Sequence, residues 1–204
     1  MFFGSKHPAS TSKQPMSGSD IFEKYNSAVF VVHTSHDGHH GYQGSGFFIN
    51  SDGLAVSNYH VFQGTHKDYA QIKTSDDRVY DVCRVIAYSE EDDLIIFEIA
   101  SSNKAFNYIP ISSRKLRVGD KAYAIGSPRG YENTFSSGEI SQIRKGDSYS
   151  IQISVPIDHG SSGGVLLNEY GEAIGITSAG RDDSGANLNF AVDIHVISKY
   201  ISLQ

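Results

Sequence analysis

Cysteine is nearly missing from this sequence: Cys83 is the single one among 204 residues. One thiol cannot close an intramolecular disulfide, so stability has to come from packing alone. A reducing compartment is allowed but not required. Cys83 sits in Val79-Tyr80-Asp81-Val82-Cys83-Arg84-Val85, a strand-like run, and reads as a buried structural thiol. Proline is also scarce, with five residues against twenty glycines. That ratio points to many tight turns between strands. No apolar run approaches the roughly 18 residues of a membrane span. Met1-Phe2-Phe3-Gly4-Ser5-Lys6-His7-Pro8 is too short and too polar for the apolar core of an export signal, so localisation stays open. Positive charge is in deficit: 17 Lys and Arg face 23 Asp and Glu, giving a net charge of −6 and a pI near 5.8. Phosphate would be repelled overall, which argues against nucleic acid as a partner. The small basic cluster of Arg114, Lys115 and Arg117 precedes Val118-Gly119-Asp120 and reads as a solvated turn.

What is present fits one globular unit, or two small barrels sharing a core. Residues 1–18 are rich in Ser, Thr, Lys, Pro and Gly and read as a disordered tail. Ser19 or Asp20 is placed to cap a short helix through Tyr25. After Asn26 the pattern turns to β-branched and aromatic runs, which predict strands at Val29–His33, Phe47–Ile49, Leu54–Ser57, Tyr69–Thr74, Arg78–Tyr88 and Leu94–Ile99. A second set is predicted at Ala122–Ile125, Gly138–Ile143, Tyr149–Val155, Gly164–Leu167, Ala173–Ser178 and Asn187–Val192. His195–Ile201 has helical spacing. Many short strands closed by one helix predict an all-β protein of barrels or sandwiches. A break near residues 112–119 sets the halves at 19–115 and 116–204, with no internal sequence repeat visible.

Three residues stand out chemically. Ser162 is the middle residue of Gly160-Ser161-Ser162-Gly163-Gly164. Flanking glycines permit a sharp turn and close approach of a substrate carbonyl to backbone amides. The same pattern also makes ordinary turns. His60 follows the strand Leu54–Ser57 and is the candidate proton acceptor, although histidines there are often structural. Asp93 opens the apolar run Leu94-Ile95-Ile96-Phe97-Glu98-Ile99. A carboxylate at that mouth is costly to bury without a partner, and a histidine N–H would be one. Its neighbours Glu90, Glu91 and Asp92 leave an ordinary acidic turn open as the alternative. The conjunction in the order His–Asp–Ser is stronger than any one signal, because a nucleophile, a base and an orienting acid together make an acyl-transfer site. His33, His36, His39 and His40 form a polar loop with no accompanying carboxylate or cysteine framework, so no metal and no cofactor is expected.

These residues resemble the HtrA (Deg) branch of the chymotrypsin-like serine peptidases. Four segments carry the resemblance: Gly44–Ile49 with Ser57-Asn58-Tyr59-His60-Val61, the run Asp93–Ile99, Ser161–Asn168, and Asn189-Phe190-Ala191-Val192. It spans about residues 21–202 and implies two six-stranded antiparallel barrels with a C-terminal helix. It further implies His60, Asp93 and Ser162 as a catalytic triad, and the amides of Gly160 and Ser162 as the oxyanion hole. Departures are His159 where the family usually has Pro, and Ser161 where it more often has Asn. No PDZ domain is expected after the terminal helix.

By the same resemblance, Thr177-Ser178-Ala179-Gly180 would pair with an extended substrate, and Ile157, Thr177 and Phe190 would line the pocket for the residue before the scissile bond. No acid sits obviously at its base, so a small or aliphatic residue is expected there, with Asp158 as the residue that threatens this view. The expected reaction is endopeptidic hydrolysis of a peptide or unfolded protein, and activity should fall as pH drops through roughly 6 to 7. The alternative is a peptidase fold kept as a silent binding or scaffold module. The resemblance also implies trimerisation through Phe2, Phe3, Phe22 and Tyr25; those residues read equally well as tail and core.

Overall fold

The structure, a computed structural model, describes residues 13–39, 41–65, 69–100, 104–127, 133–146, 150–178 and 188–202. Helix α1 (Gly18–Tyr25) comes first, and its N-terminus is set by Ser17, two or three residues earlier than the sequence suggested. The Ser17 hydroxyl accepts from the Asp20 amide at 3.1 Å, and the Asp20 carboxylate accepts from both the Ser17 amide and hydroxyl. This reciprocal box satisfies amides that the first helical turn leaves open. The tail predicted over 1–18 therefore stops short of residue 18. The Met16 amide donates to the Glu169 carbonyl at 2.7 Å, and Lys13 pairs with Glu172 at 3.1 Å, so this segment is tied to the second half of the chain.

The first half holds β1 (Val29–Ser35), β2 (Gly41–Phe48), β3 (Leu54–Ser57), β4 (Ala70–Lys73), β5 (Val79–Ser89) and β6 (Leu94–Ile99), with the one-turn helix α2 (Tyr59–Phe62) after β3. The second holds β7 (Lys121–Gly126), β8 (Thr134–Ile143), β9 (Ile151–Ile153), β10 (Val165–Leu167), β11 (Ala173–Ser178) and β12 (Asn189–Asp193). Each set closes into a six-stranded antiparallel barrel. The circular order β1-β2-β3-β6-β5-β4 is repeated by β7-β8-β9-β12-β11-β10, so two halves without a sequence repeat share one topology. The predicted terminal helix is present as a short 3-10 segment, Ile194–Lys199.

Strand β6 shows how the pattern places the core. Alternate residues of a strand face opposite ways. Ile95, Phe97 and Ile99 enter the interior of the first barrel with Phe30, Phe48, Ala55 and Ile72. Leu94 and Ile96 face the other way and join Val29, Phe47 and Val56 against Ile125, Val165, Leu167, Ile176 and Val192 of the second barrel. Both faces are buried, which is why the run is apolar but for Glu98, which pairs with Arg84 of β5. Ile194 and Ile197 of the 3-10 segment, and Ile21 and Tyr25 of α1, seal the same inter-barrel core. Tyr25, named above for assembly, is thus spent inside the chain, and Phe22 packs edge-on against Phe135. Phe2 and Phe3 lie outside the described residues.

Cys83 is exposed, contrary to the buried thiol expected. The pairing of β5 with β6 shifts register between Val82 and Arg84, and the bulge turns the thiol outward, where it lies 3.4 Å from the Glu98 carbonyl. Among the described residues, no helix is long and apolar enough to cross a membrane.

Candidate active site

Where β3 ends, Asn58 caps α2, and His60 occupies the second position of that turn. The His60 Nδ1 atom lies 2.8 Å from Asp93 Oδ2 and 3.1 Å from Oδ1, and the His60 backbone N–H donates to Oδ1 at 2.9 Å. A carboxylate only accepts, so this geometry puts the ring proton on Nδ1 and leaves the lone pair of a neutral ring on Nε2. The Asp93 side chain is 5% exposed and that of His60 41%. The acid is thus enclosed while the base reaches the surface. Asp93 holds a left-handed backbone at φ +45°, rare outside glycine. Its carbonyl accepts from the Asn58 side-chain amide at 3.1 Å, which couples the two segments a second time.

Ser162 is buried in a turn bracketed by left-handed Gly160 (φ +91°) and Gly163 (φ +88°). The Ser161 amide donates to the Asp158 carbonyl at 3.0 Å and the Gly164 amide to the Ser161 carbonyl at 2.9 Å. Thr177 reinforces the turn: its hydroxyl donates to the Ser161 carbonyl at 2.7 Å, and its carbonyl accepts from the Gly163 amide at 2.8 Å. With the Ser161 carbonyl held inward, the trans peptide aims the Ser162 N–H the opposite way.

The first barrel grips the same turn through Ser45, a residue whose role sequence reasoning missed. The Ser45 amide donates to the Ser162 carbonyl at 2.7 Å, and its hydroxyl donates to the Gly160 carbonyl at 2.7 Å while accepting from the Ser127 amide at 2.8 Å. Its own carbonyl accepts from the Ser57 hydroxyl at 2.7 Å. The only signal in the sequence was a hydroxyl between two glycines just ahead of Phe47 and Phe48. Gly44 brings the two sides together: a methyl group there would lie 2.7 Å from both γ carbons of Val61, the residue after His60, and 3.1 Å from the Ser162 carbonyl oxygen.

Ile157 and Thr177 line a cavity of about 160 Å³ beside Ser161, together with Pro156, Asp158 and the β7–β8 residues Ala124 and Ser136. Phe190 is absent from that lining; it is buried in the inter-barrel core, with the Arg144 guanidinium 4.9 Å from its ring centre. Asp158 turns its carboxylate back on its own segment and accepts from the His159 amide at 2.7 Å. Ser178 ends β11, paired with Phe190, and is buried. Ala179 lies outside the described residues. Among the described residues, which leave out His40, no cluster of metal-ligating side chains is found.

A protease of Buchnera aphidicola subsp. Acyrthosiphon pisum, named as a Do-like serine protease, is 37% identical to this chain over 163 residues, covering 76% of this chain and 34% of that relative. The periplasmic pH-dependent serine endoprotease DegQ of Escherichia coli is 36% identical over 143 residues, covering 67% of this chain and 31% of the relative. The chain therefore spans about a third of the length of these relatives. The crystal structure of the serine endoprotease from Yersinia pestis superposes with a TM-score of 0.77 at 24% identity, over 91% of this chain and 65% of that one, and supports the double-barrel fold. The profile of the trypsin-like peptidase domain matches residues 44–176, and on that match the chain belongs to the trypsin-like peptidase family.

Proposed function

We propose that this chain is a serine endopeptidase in which Ser162 is the nucleophile, His60 the general base and Asp93 the residue that orients it. The observation that carries the reading is the two-point hold of Asp93 on His60, through the ring at 2.8 Å and the backbone at 2.9 Å, next to a glycine-bracketed serine. A substrate carbonyl is attacked by Ser162 Oγ as its proton passes to His60 Nε2. The imidazolium so formed is stabilised by the enclosed Asp93 carboxylate. His60 then returns the proton to the leaving amine, which departs and leaves an acyl-enzyme. Water, deprotonated by His60 in turn, releases the new carboxyl group and restores Ser162.

The negative oxygen of each tetrahedral intermediate falls to the amides of Gly160 and Ser162, and one such donor is worth about 3 kcal/mol in the transition state. The outward Ser162 N–H supports this assignment. Ser178 and Ala179 would hydrogen-bond an extended substrate through the main chain. Ile157 and Thr177, which line the cavity beside Ser161, would favour a small or aliphatic residue before the scissile bond.

A fluorophosphonate probe tests the chemistry directly. Labelling of the wild type and none of Ser162→Ala is expected. Absence of label on a well-folded wild type would leave a peptidase fold that only binds. A peptide-library cleavage profile then reads the specificity, and a dominant Lys or Arg before the cut would refute the pocket assignment.

A further inference from the structure

The acidic turn that carries Asp93 has a second buried carboxylate, and the proposed chemistry does not use it. Asp92 is 9% exposed. The Lys199 ammonium lies 3.0 Å from each of its oxygens, and the Tyr200 hydroxyl donates to Oδ2 at 2.6 Å. Both partners come from the end of the chain, beyond the second barrel. That end is itself fixed. Ile194 and Ile197 are buried in the inter-barrel core. Asp193 accepts from the His195 amide at 3.0 Å and lies 2.7 Å from His195 Nδ1, while His195 Nε2 lies 2.6 Å from the Ser112 carbonyl in the segment between barrels. A rooted element thus reaches across and holds a side chain next door to the proposed orienting acid.

The adjacent backbone explains why such a hold is needed. A left-handed conformation costs a non-glycine residue about 1–2 kcal/mol, and it persists only where surroundings impose it. Asp93 has that conformation, and it is the conformation in which the carboxylate meets both the His60 ring and the His60 amide. Within the turn itself the ties are the Asp92 amide to the Ser89 hydroxyl at 3.0 Å and the Asp93 amide to the Glu90 carbonyl at 3.2 Å. From outside the turn, Asn58 holds the Asp93 carbonyl from the end of β3, and the Asp92 clasp is the tie that comes from beyond the second barrel.

We propose that Asp92 is a positioning residue for the His60–Asp93 pair: gripped by Lys199 and Tyr200, it fixes the turn in the shape that aims Asp93 at the imidazole. The proposal rests on the roles assigned above to His60 and Asp93. Charge supports it. Burial raises the Asp92 carboxyl, but the hydrogen bonds from Tyr200 and Lys199 and the Lys199 charge outweigh this and leave it below the usual carboxylate range. The clasp is therefore ionic at neutral pH.

The test uses the full chain and two readouts: steady-state hydrolysis of a peptide that the wild type cuts, and the proton NMR resonance of the His60 Nδ1–H, assigned by its loss in His60→Ala. Asp92→Ala is expected to lower kcat about 10- to 100-fold with KM within about twofold, since a misaimed catalytic group costs on that order. The same variant should move the Nδ1–H resonance. Asp92→Asn, which keeps an acceptor for Tyr200, should recover part of both. Tyr200→Phe removes one hydroxyl of the clasp without opening a cavity, so it should fold, loosen the turn and lower kcat about three- to tenfold, which keeps the test decisive if Asp92→Ala fails to fold. A folded Asp92→Ala, or a Tyr200→Phe, with wild-type kcat and an unmoved resonance overturns the proposal. A wild type that hydrolyses nothing but whose resonance moves in Asp92→Ala overturns the peptidase reading and leaves the positioning role standing. A wild type showing neither turnover nor the resonance overturns both.

Discussion

Gly163→Ala puts the geometry of the Ser162 turn under the most direct strain. Position 163 has φ +88°, where any side chain costs about 1–2 kcal/mol. The added methyl would also fall inside contact distance of the Ser45 carbonyl oxygen and the Ser57 hydroxyl, and 3.0 Å from the Ser45 carbonyl carbon. Backbone cannot step aside as a flexible side chain can, so the turn must lift from β2, and overpacking of this kind adds about 1–3 kcal/mol. Against a total stability of about 5–15 kcal/mol, the variant should still fold. Its Tm should fall by roughly 4–20 °C, at about 2–4 °C per kcal/mol for a chain of this size. Lifting the turn moves Ser162 relative to His60, and a displacement near 1 Å should cost on the order of 100-fold in kcat/KM. Gly146→Ala is the internal control. Gly146 has φ +78° but nothing within 4 Å of an added methyl, so it should lose about 1 kcal/mol and keep full activity. Thermal melts, peptide hydrolysis and fluorophosphonate labelling of the pair measure this. If the two variants melt together and both label at the wild-type rate, the close approach of the Ser162 turn to Ser45 is not what the structure says it is.

Ser45→Ala removes one hydroxyl from between two barrels and strips the Gly160 carbonyl and the Ser127 amide of their partner. Denaturant titration should show a loss of about 1–3 kcal/mol, with slower fluorophosphonate labelling; an unchanged midpoint would refute the bridging role. Acid should unfold the protein through Asp92 and Glu172, among other groups. In Glu172, as in Asp92, burial raises the carboxyl but is outweighed, here by hydrogen bonds from Asn168, Lys13 and Ser112 and the Lys13 charge, so both are depressed in the folded state. A depressed folded value gives stability that is complete above the unfolded carboxyl range near pH 4 and is lost as pH falls through the folded value. Lys199 and Tyr200 stay protonated throughout this window, both being raised by their bond to Asp92. Melts from pH 6 down to pH 2.5 should therefore fall mainly below about pH 4, and Asp92→Asn should flatten that fall; identical slopes would count against the clasp. Deleting residues 1–17 removes the Ser17 cap and the Met16 and Lys13 anchors and should cost about 1–2 kcal/mol by the same melts.

Much of this architecture was legible because burial repeats with the period of the backbone. The β6 run and β11 were bounded in sequence at the residues the structure gives, each being largely apolar and opening directly after an acidic residue, Asp93 and Glu172. Strands whose content is small or polar were cut short. β2 begins at Gly41, not Phe47, because Gly44, Ser45 and Gly46 carry no β signal alone yet must be slim to let the Ser162 turn and Val61 approach. β8 begins at Thr134, not Gly138, since Ser136 and Ser137 are paired by β7 and not by any pattern of their own. The Cys83 reading failed for a related reason: a bulge changes which face a residue takes, and bulges leave no mark in a period-two pattern. In the candidate site, residue types and chain order were visible, and so was the choice of Asp93 over Asp92 as the carboxylate aimed at His60. The struts were not, because Ser45, Asn58, Lys199 and Tyr200 act over separations of dozens of residues where sequence spacing carries no information.

Those struts share a plan. Asp93 belongs to the first barrel, and the residue beside it is gripped by Lys199 and Tyr200 from the far end of the second. Ser162 belongs to the second barrel, and its carbonyl and that of Gly160 are held by Ser45 of the first. Each barrel thus fixes the reactive segment of the other, while Leu94, Ile96, Val165 and Ile176 fill the seam between them with one apolar core. Cross-bracing of this kind has a thermodynamic consequence. The local geometry at His60–Asp93 and at Ser162 is braced from the opposite barrel as well as from its own, so the two halves of the site should form in the same step as the inter-barrel core. The apolar seam supplies the driving force, because its area is non-directional and large. The buried hydrogen bonds supply the register, because each is satisfied in one docking geometry and costs about 1–3 kcal/mol when left open. A protein built on two barrels of identical strand order needs that second term. Without it, packing alone would tolerate slips of one barrel on the other that leave the core covered and the site out of line.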